Sequence, residues 1–414
     1  MGGPAKVSRL RQLEDRLFTA RTLRLGAVFL VVVSALDLAR LYFSGQWIFD
    51  THGNYRLLDF AWLWVGGGFA LRGSAIQAFD DPLFAAAQQE LVGAIGPGQV
   101  YFHWVYPPVL FFLALPLAAL PYLPALIIWC ATTGAFYVSA IGRILGRGWV
   151  LLALAPSAVV VNLMLGQTGY LSAGIMGYGL LLVNRKPFLA GLLLSLLVYK
   201  PQLALLFPIV LAVAGCWQAI AGGAFGALAL VGASAAAFGP GSWLAFAEAL
   251  SLRNPRSLTA DPGLHATLQT VFGLARDAGL HFHLAWAAQI SASALAVVLC
   301  CFVWRRPLPY ELKAAALATA ALLATPYLLA YDLVIAVVPA AFLIRLGLQG
   351  GFLPGERLVL LGAFMILLAY VFPVGPLVFA ALLALVLRRA LAGPARTQRS
   401  CRLRLLSLRP ARSS

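Results

Sequence analysis

Few residues of this sequence carry side chains suited to catalysis or to binding a charged substrate, and those few lie inside or directly beside long apolar stretches. Ionisable side chains at membrane depth are costly, so each is expected to be functional or paired with a structural partner. The candidates are four ionisable residues and two amides: Asp37, Asp59, Lys200, Asp332, Asn162 and Gln167.

Two of the carboxylates could act as bases or as helix caps. Asp59 lies at the start of the apolar stretch Leu57–Leu71, where a carboxylate is favoured by the helix dipole and by free backbone N–H groups. Its functional interpretation is a general base at the membrane surface. Asp332 lies between two apolar stretches, where it could cap the next helix, position a substrate hydroxyl or assist the base. The sequence leaves these interpretations open.

The candidate anion-binding residues are one lysine and two arginines. Lys200 ends an apolar segment, so it either snorkels toward water or holds a phosphate as a point charge. Arg253 and Arg256 could grip a phosphate through forked donors, or could belong to a solvated loop. Gln167 lies in a polar Gly-Gln-Thr-Gly turn, which either binds substrate or only satisfies loop backbone groups.

Other acidic positions favour structural roles. Asp37 lies three residues before Arg40 on one helix, a spacing that predicts an ion pair. Asp80 and Asp81 precede Pro82 and could hold a cation, but a solvated turn explains them better. No nucleotide or zinc motif stands in a usable context, so the sequence implies neither a cofactor nor a metal ion.

The composition excludes a soluble enzyme. Hydrophobic residues make up 62% of the 414 residues and charged residues only 11%, against roughly 25% charged in soluble domains. The long apolar runs also exclude a transmembrane β-barrel, whose strands alternate apolar and polar residues. We predict an all-α polytopic membrane protein with about twelve transmembrane helices.

The net charge of +16 is concentrated at the two ends of the chain. Residues 1–24 carry a net +4 and residues 388–414 a net +8, and both segments flank apolar helices. The positive-inside rule places both termini in the cytoplasm, where they could also contact anionic lipids. This distribution favours membrane lipids as partners and argues against nucleic acid.

The expected organisation is one membrane domain between two basic tails. Leu57–Leu71 is short, Gly-rich and rich in tryptophan, so we expect it to form a helix that lies in the outer membrane interface. The polar candidate residues are expected at the outer face of the membrane. The predicted parts are the tails 1–24 and 391–414, the membrane domain 25–390, and within it the outer loops 44–104 and 239–282.

Six groups of motifs follow one another across residues 59–332. They are Asp59-Phe60, residues 78–84, Tyr106-Pro107-Pro108, Gly166-Gln167, Ala190-Gly191 followed by Lys200-Pro201-Gln202, and Thr325-Pro326 followed by Tyr331-Asp332. In this order the chain resembles glycosyltransferase family 87, polyprenyl-phosphate-mannose-dependent enzymes of the multispanning GT-C class. Each motif alone is weak, but six in order within one topology make a fairly specific match.

The resemblance implies a GT-C-like bundle and an inverting transfer of a hexose, with mannose the expected sugar. The implied donor is a polyprenyl-phosphate sugar, and the implied acceptor a glycolipid or lipid-linked glycan. The implied place is the periplasmic face of a bacterial inner membrane.

For individual positions, the resemblance matches Asp59 to the family's base and places Lys200 in its Lys-Pro motif. Tyr331 and Asp332 stand where mannosyltransferases of this family carry histidines, which leaves the donor sugar and the acceptor open. The full set of expected donor-binding residues is Lys200, Gln167, Tyr106, Arg253, Arg256, Tyr331 and Asp332.

Two other classes of function remain. A transporter or lipid flippase would carry charged groups in the middle of its spans and internal repeat symmetry. A membrane scaffold in an envelope-building complex would keep its function without Asp59. The clustering of polar residues toward one face favours the transferase.

Overall fold

The protein is all-helical, as the sequence predicted. A computed structural model describes residues 12, 14–94, 101–146, 148, 150–260, 267–369 and 371–392, and no strand occurs among these residues. A single antiparallel bridge joins Phe49 and Tyr55 in the first outer loop. Residues 1–11 and 13 of the predicted N-terminal tail and residues 393–414 of the predicted C-terminal tail lie outside the described residues.

The α-helices are numbered here in chain order, and short 3₁₀ segments connect several of them. They are α1 Ala20–Phe43, α2 Phe60–Leu71, α3 Asp81–Val92, α4 Phe111–Ala118, α5 Tyr122–Leu145, α6 Leu151–Leu154, α7 Ser157–Leu165, α8 Gly169–Leu182, α9 Pro187–Ser195, α10 Pro201–Ala204, α11 Leu206–Val213, α12 Trp217–Phe238, α13 Pro240–Ala260, α14 Val271–Asp277, α15 Phe282–Arg305, α16 Tyr310–Ala324, α17 Val337–Gly350, α18 Glu356–Ile366 and α19 Gly375–Ala392. The 3₁₀ segments are Ala75–Phe79, Pro108–Leu110, Leu196–Tyr199, Ala330–Ala336 and Leu367–Ala369.

Several helices are long and apolar enough to cross a bilayer, so the chain is a multi-pass membrane protein. Among the described residues six segments meet this requirement: Arg21–Phe43, Tyr122–Leu145, Trp217–Phe238, Phe282–Arg305, Ala330–Gly350 and Gly375–Ala392. Other apolar helices are shorter, so the count of twelve spans stays a prediction.

Helix α2 is buried in protein, although its sequence suggested an interfacial position. Nine of its twelve residues are buried. Gly67 lets the helix approach α4, because a Cβ there would lie 2.2 Å from the Ala114 carbonyl oxygen. Trp64 donates from Nε1 to the Leu120 carbonyl at 3.0 Å. Protein contacts therefore fix this helix, and its place relative to the membrane interface stays a prediction.

The predicted outer loop 239–282 is largely helical where it is described. Helix α13 continues directly after α12 at Gly239, which has φ of +80°, and α14 follows later in the loop. Arg253 and Arg256 fall within α13, but their side chains lie outside the described part of the chain.

Glycine lets α9 and α12 pack closely. A Cβ at Gly191 would lie 2.0 Å from the Ala219 carbonyl oxygen, and one at Gly222 would lie 2.1 Å from the Phe188 carbonyl oxygen. Small residues of this kind allow membrane helices to approach backbone to backbone. The packing of α9 matters for the site because Lys200 follows it.

Replacing Gly191 by alanine is expected to destabilise the protein by about 1–3 kcal/mol, because the added methyl group overpacks the crossing. The measurement is the thermal unfolding of purified protein in detergent. Gly232→Ala is the matched control, because nothing lies within 4 Å of a Cβ at Gly232 in the same bundle. Equal unfolding temperatures for the two variants would contradict this interpretation of the crossing.

Candidate active site

Asp59 and Gln167 make a direct contact across 108 residues of sequence. Gln167 donates from Nε2 to Asp59 Oδ2 at 2.9 Å, and its Oε1 accepts from the Thr168 backbone N–H at 3.1 Å. Asp59 occupies the N-cap position of α2, but its side chain makes no capping hydrogen bond. The helix-cap interpretation of this side chain is therefore wrong, and the carboxylate faces Gln167.

A tight turn after α7 places Gln167. Gly166 adopts φ of +67°, and a Cβ there would lie 2.7 Å from Phe60 Cβ, so the turn requires glycine. Trp129 donates from Nε1 to the Gly166 carbonyl at 2.9 Å. The Gly166 and Gln167 N–H groups both donate to the Asn162 carbonyl, at 3.0 and 3.2 Å. The backbone therefore holds Gln167 in a fixed position beside Asp59.

Lys200 and Asp332 form a buried ion pair. The Nζ–Oδ1 distance is 2.7 Å, and each side chain is only 4% exposed. Asp332 Oδ2 also accepts from the Leu329 backbone N–H at 3.4 Å, so Asp332 helps to cap the segment Ala330–Ala336 as well. The snorkelling interpretation of Lys200 is wrong, because its ammonium group is buried and paired.

Aromatic rings surround this pair. Lys200 Nζ lies 4.9 Å from the centre of the Tyr331 ring, a cation–π distance. Tyr106 lies beside Tyr331, and its ring stacks on Trp62 with a centroid distance of 4.4 Å and an interplanar angle of 8°. Tyr327 lies close enough to interact with both Tyr106 and Asp332. Burial raises the pKa of Tyr106 well above its usual value, so its phenol stays neutral.

The environment of Asp59 suits a proton acceptor. Burial raises the pKa of this carboxyl from 3.8 to about 6, while the Gln167 hydrogen bond and the Lys200 charge act in the opposite direction. Asp59 is therefore ionised at neutral pH, and its carboxylate can take up a proton at a pH not far below neutral. Asp332 is less suited to this role, because its carboxylate already holds Lys200 and a backbone N–H. Of the two carboxylates, Asp59 is the better candidate for a base.

The structure assigns local roles to the other acidic candidates. Asp37 pairs with Arg40 at 2.9 Å, which confirms that prediction. Asp80 accepts from the Leu83 N–H at 3.0 Å and caps α3, and Asp81 lies 3.0 Å from His103 Nδ1. Within the described part of the chain, no three His, Cys, Asp or Glu side chains converge as a metal site would require.

Sequence reasoning missed several aromatic residues around Lys200 and Asp59. Trp62 lies three residues after Asp59 and so shares its face of the helix, a spacing that could have identified it. Tyr199 directly precedes Lys200, and its hydroxyl lies 2.7 Å from that of Ser172. Tyr327 directly follows the Thr325-Pro326 motif. Its burial depends on tertiary contacts that no local pattern shows.

A comparison with protein families matches the middle of this chain. The model described as "Glycosyltransferase family 87" matches residues 104–326, more than half of the chain. The match includes Tyr106, Gln167 and Lys200 and ends shortly before Asp332. No curated protein and no solved structure matches the chain significantly.

Proposed function

We propose a specific reaction for this chain, which belongs to glycosyltransferase family 87. Membership makes the protein a glycosyltransferase, with a sugar donor and an acceptor as its substrates. In our proposal it transfers a hexose, with mannose the first choice, from a polyprenyl-phosphate donor to a glycolipid or lipid-linked glycan. The reaction inverts the anomeric configuration.

The environment of Asp59 supports this proposal most strongly. The carboxylate accepts a proton from the acceptor hydroxyl as that oxygen attacks the anomeric carbon. The new bond joins the acceptor oxygen to this carbon, and the bond between the carbon and the phosphate oxygen breaks. The polyprenyl phosphate leaves with the bonding electrons, on the side opposite the attack. Gln167 holds Asp59 in position through the 2.9 Å hydrogen bond.

Lys200 is the proposed partner of the leaving phosphate. An ammonium group has three donors, and Asp332 takes one of them at 2.7 Å. The remaining donors can face the phosphate, whose negative charge grows as the glycosidic bond breaks. Asp332 fixes the ammonium group before the donor arrives, so little reorganisation is needed. Tyr106 and Tyr331 offer neutral hydroxyl groups and ring faces to the sugar.

The proposed location is the periplasmic face of a bacterial inner membrane, with both termini in the cytoplasm. The basic charge of the two terminal segments supports this orientation. A polyprenyl chain is insoluble in water, so the donor approaches the cluster from the bilayer. Sugar nucleotides remain in the cytoplasm, which agrees with the lack of a nucleotide motif in the sequence.

The stereochemistry of the product tests the mechanism. Purified protein should convert a polyprenyl-phosphate sugar of known anomeric configuration into a product of the opposite configuration, read by proton NMR of the anomeric signal. Sugar nucleotides should give no product. Retention of configuration would exclude direct attack by an acceptor that Asp59 deprotonates.

The buried Lys200–Asp332 pair is the observation that favours the transporter or flippase alternative, because such pairs also line transport pathways. The two functions differ in whether the sugar–phosphate bond breaks. A flippase would move a labelled polyprenyl-phosphate sugar across proteoliposomes and leave it intact. Our proposal expects the free polyprenyl phosphate to accumulate as the sugar is transferred.

The rate of sugar transfer is expected to fall in acid. The pKa of Asp59 is about 6, so kcat/KM should rise with pH and reach half of its plateau near pH 6. Gln167→Met removes a hydrogen bond that favours the carboxylate, so the pKa of Asp59 should rise and the midpoint should move to higher pH. Gln77→Met, at an exposed position, is the control. An unchanged midpoint in Gln167→Met would contradict the role of Gln167.

We also propose that the reaction needs no metal ion, because charge stabilisation at the phosphate is assigned to Lys200. Transfer should therefore proceed at the same rate after treatment with EDTA and dialysis. The measurement is the initial rate before and after readdition of Mg²⁺ or Mn²⁺. Restoration of a lost rate by either ion would assign the phosphate to a metal site.

A further inference from the structure

The first transmembrane helix is barely packed against the rest of the protein. Only 6% of the most apolar stretch of α1 is buried. Ala27 is the one buried residue within the described part of this helix. Other transmembrane segments bury much more, 61% in the case of Ala330–Gly350. The rest of the protein therefore leaves most of the surface of α1 uncovered.

A cavity of about 610 Å³ lies behind this helix. Its wall is built mainly by α1, α17, α18 and α19, with one residue each from α5 and α6, and the segment Leu17–Phe18 also lines it. Thr22 and Arg357 are the polar side chains among its lining residues, and the Thr22 hydroxyl already donates to the Leu17 carbonyl at 2.6 Å. Water needs two to four polar partners, so this wall does not suit water.

We propose that this cavity binds one acyl chain of a phospholipid with an acidic headgroup. A methylene group is similar in size to a water molecule, which takes about 30 Å³ in the liquid, so there is room for about twenty such groups. An alkyl chain restores the dispersion contacts that an empty apolar cavity forfeits. The proposal is independent of the sugar-transfer reaction.

Charge at one end of the cavity identifies the headgroup. Arg357 Nη1 lies 2.8 Å from Asp15 Oδ1, and the Asp15 side chain is 62% exposed. An exposed ion pair of this kind is weak, so a phosphate can take the place of Asp15. Arg21 and Arg24 are exposed near this end of α1. The Glu14 carboxylate accepts from the backbone N–H groups at the start of α18, so the positive charge left for an acidic headgroup is that of the arginine side chains where the acyl chain leaves the cavity.

The position of Arg357 also argues against the prenyl chain of the sugar donor as the occupant. Arg357 lies in the first turn of α18, whereas the proposed phosphate site is Lys200, paired with Asp332. A donor whose phosphate sits at Lys200 would make no use of Arg357. The phospholipid proposal uses both the apolar wall and the arginine.

Replacing Gly26 by a large side chain tests the proposal directly, because that side chain would fill the cavity. It lines the cavity, and nothing lies within 4 Å of a Cβ placed there, so Gly26→Phe can occupy the space without a clash. Gly232→Phe is the matched control, because Gly232 is also a helical glycine with open space around it but does not line the cavity. Ala340→Leu is a second filling variant from the opposite wall.

The measurement is native mass spectrometry of the full chain, delipidated and then incubated with phosphatidylglycerol, with phosphatidylethanolamine or with polyprenyl phosphate. We expect one phosphatidylglycerol to remain bound to the wild type and to Gly232→Phe. Gly26→Phe and Ala340→Leu should lose it. Arg357→Gln should bind phosphatidylglycerol and phosphatidylethanolamine equally.

Three outcomes would overturn the proposal. One is the absence of retained phospholipid on the wild type. Another is equal retention by Gly26→Phe and Gly232→Phe, which would place the lipid elsewhere. The third is displacement of the phospholipid by polyprenyl phosphate in the wild type, which would assign the cavity to the prenyl chain.

Discussion

Replacing Asp59 by asparagine is expected to lower kcat for sugar transfer by about 10²–10⁴-fold, the range that a general base contributes. Asparagine keeps the size of the side chain and an oxygen that can accept from Gln167 Nε2, which now lies 2.9 Å away. It cannot take the acceptor's proton. The measurement is the initial rate of transfer from a polyprenyl-phosphate sugar, with purified protein in detergent.

The unfolding temperature of Asp59→Asn shows whether a lost rate is due to the missing base or to a damaged fold. The pKa of Asp59 is raised on folding, so its ionised form is less stable in the folded protein than in the unfolded chain, and this cost is fully present above about pH 6. The asparagine side chain carries no charge, so Asp59→Asn should unfold at the same or a higher temperature at pH 7. Glu90→Gln, at an exposed position of the same outer loop, should leave both rate and stability unchanged. An active Asp59→Asn would move the role of base to another residue, with Asp332 next in line.

Lys200→Met is expected to destabilise the protein by about 3–5 kcal/mol, because it leaves the Asp332 carboxylate buried and unpaired. The double variant Lys200→Met/Asp332→Leu should regain most of this stability, since a buried pair can be replaced by apolar residues of similar volume. The measurement is thermal unfolding in detergent. Arg40→Met is the control, because it breaks an exposed pair and should change stability by less than about 1 kcal/mol.

The same double variant tests whether Lys200 also acts on the substrate. Our account expects it to fold and to transfer no sugar, because the ammonium group that faces the leaving phosphate is gone. Recovery of both stability and sugar transfer would make the pair purely structural. The two readouts therefore distinguish a binding role from a role in folding.

The sequence singled out four residues that the structure brings together, but it did not predict their contacts. Asp59, Gln167, Lys200 and Asp332 were all candidates, and they lie in one cluster. Their partners could not be derived, because Lys200 and Asp332 are 132 residues apart and meet only through tertiary packing. The two structural interpretations that failed, the Asp59 cap and the snorkelling of Lys200, were local rules overridden by these long-range contacts.

The number of membrane spans could not be counted from hydropathy, because the helices around Lys200 are interrupted. Hydropathy shows two apolar segments around Lys200, but the backbone there divides into the pieces Pro187–Ser195, Leu196–Tyr199, Pro201–Ala204 and Leu206–Val213. Proline at 201 interrupts the helix and places the lysine at a non-helical position. Irregular backbone of this kind is tolerated at membrane depth where protein surrounds it. Hydropathy alone cannot distinguish such broken segments from complete spans.

The burial of α2 could not be predicted from the sequence for a different reason. Its tryptophans and its shortness are typical of an interfacial helix, and glycine is usually counted as a helix-weakening residue. Here Gly66 and Gly67 make room for neighbours: a Cβ at Gly66 would lie 2.2 Å from the Trp104 ring. The role of a helical glycine depends on what packs against it, which a single sequence does not show.

Transfer of radiolabelled mannose from synthetic polyprenyl-phosphate mannose would show whether this chain uses a lipid-linked sugar with Asp59 as the base. The protein is reconstituted into proteoliposomes with lipid extract as the source of acceptors, and labelled glycolipid is separated from the donor. We predict that wild-type protein moves the label into glycolipid and that Asp59→Asn does not. If neither protein moves label from mannose, glucose, galactose or arabinose donors, the claim that this chain uses polyprenyl-phosphate sugars is contradicted.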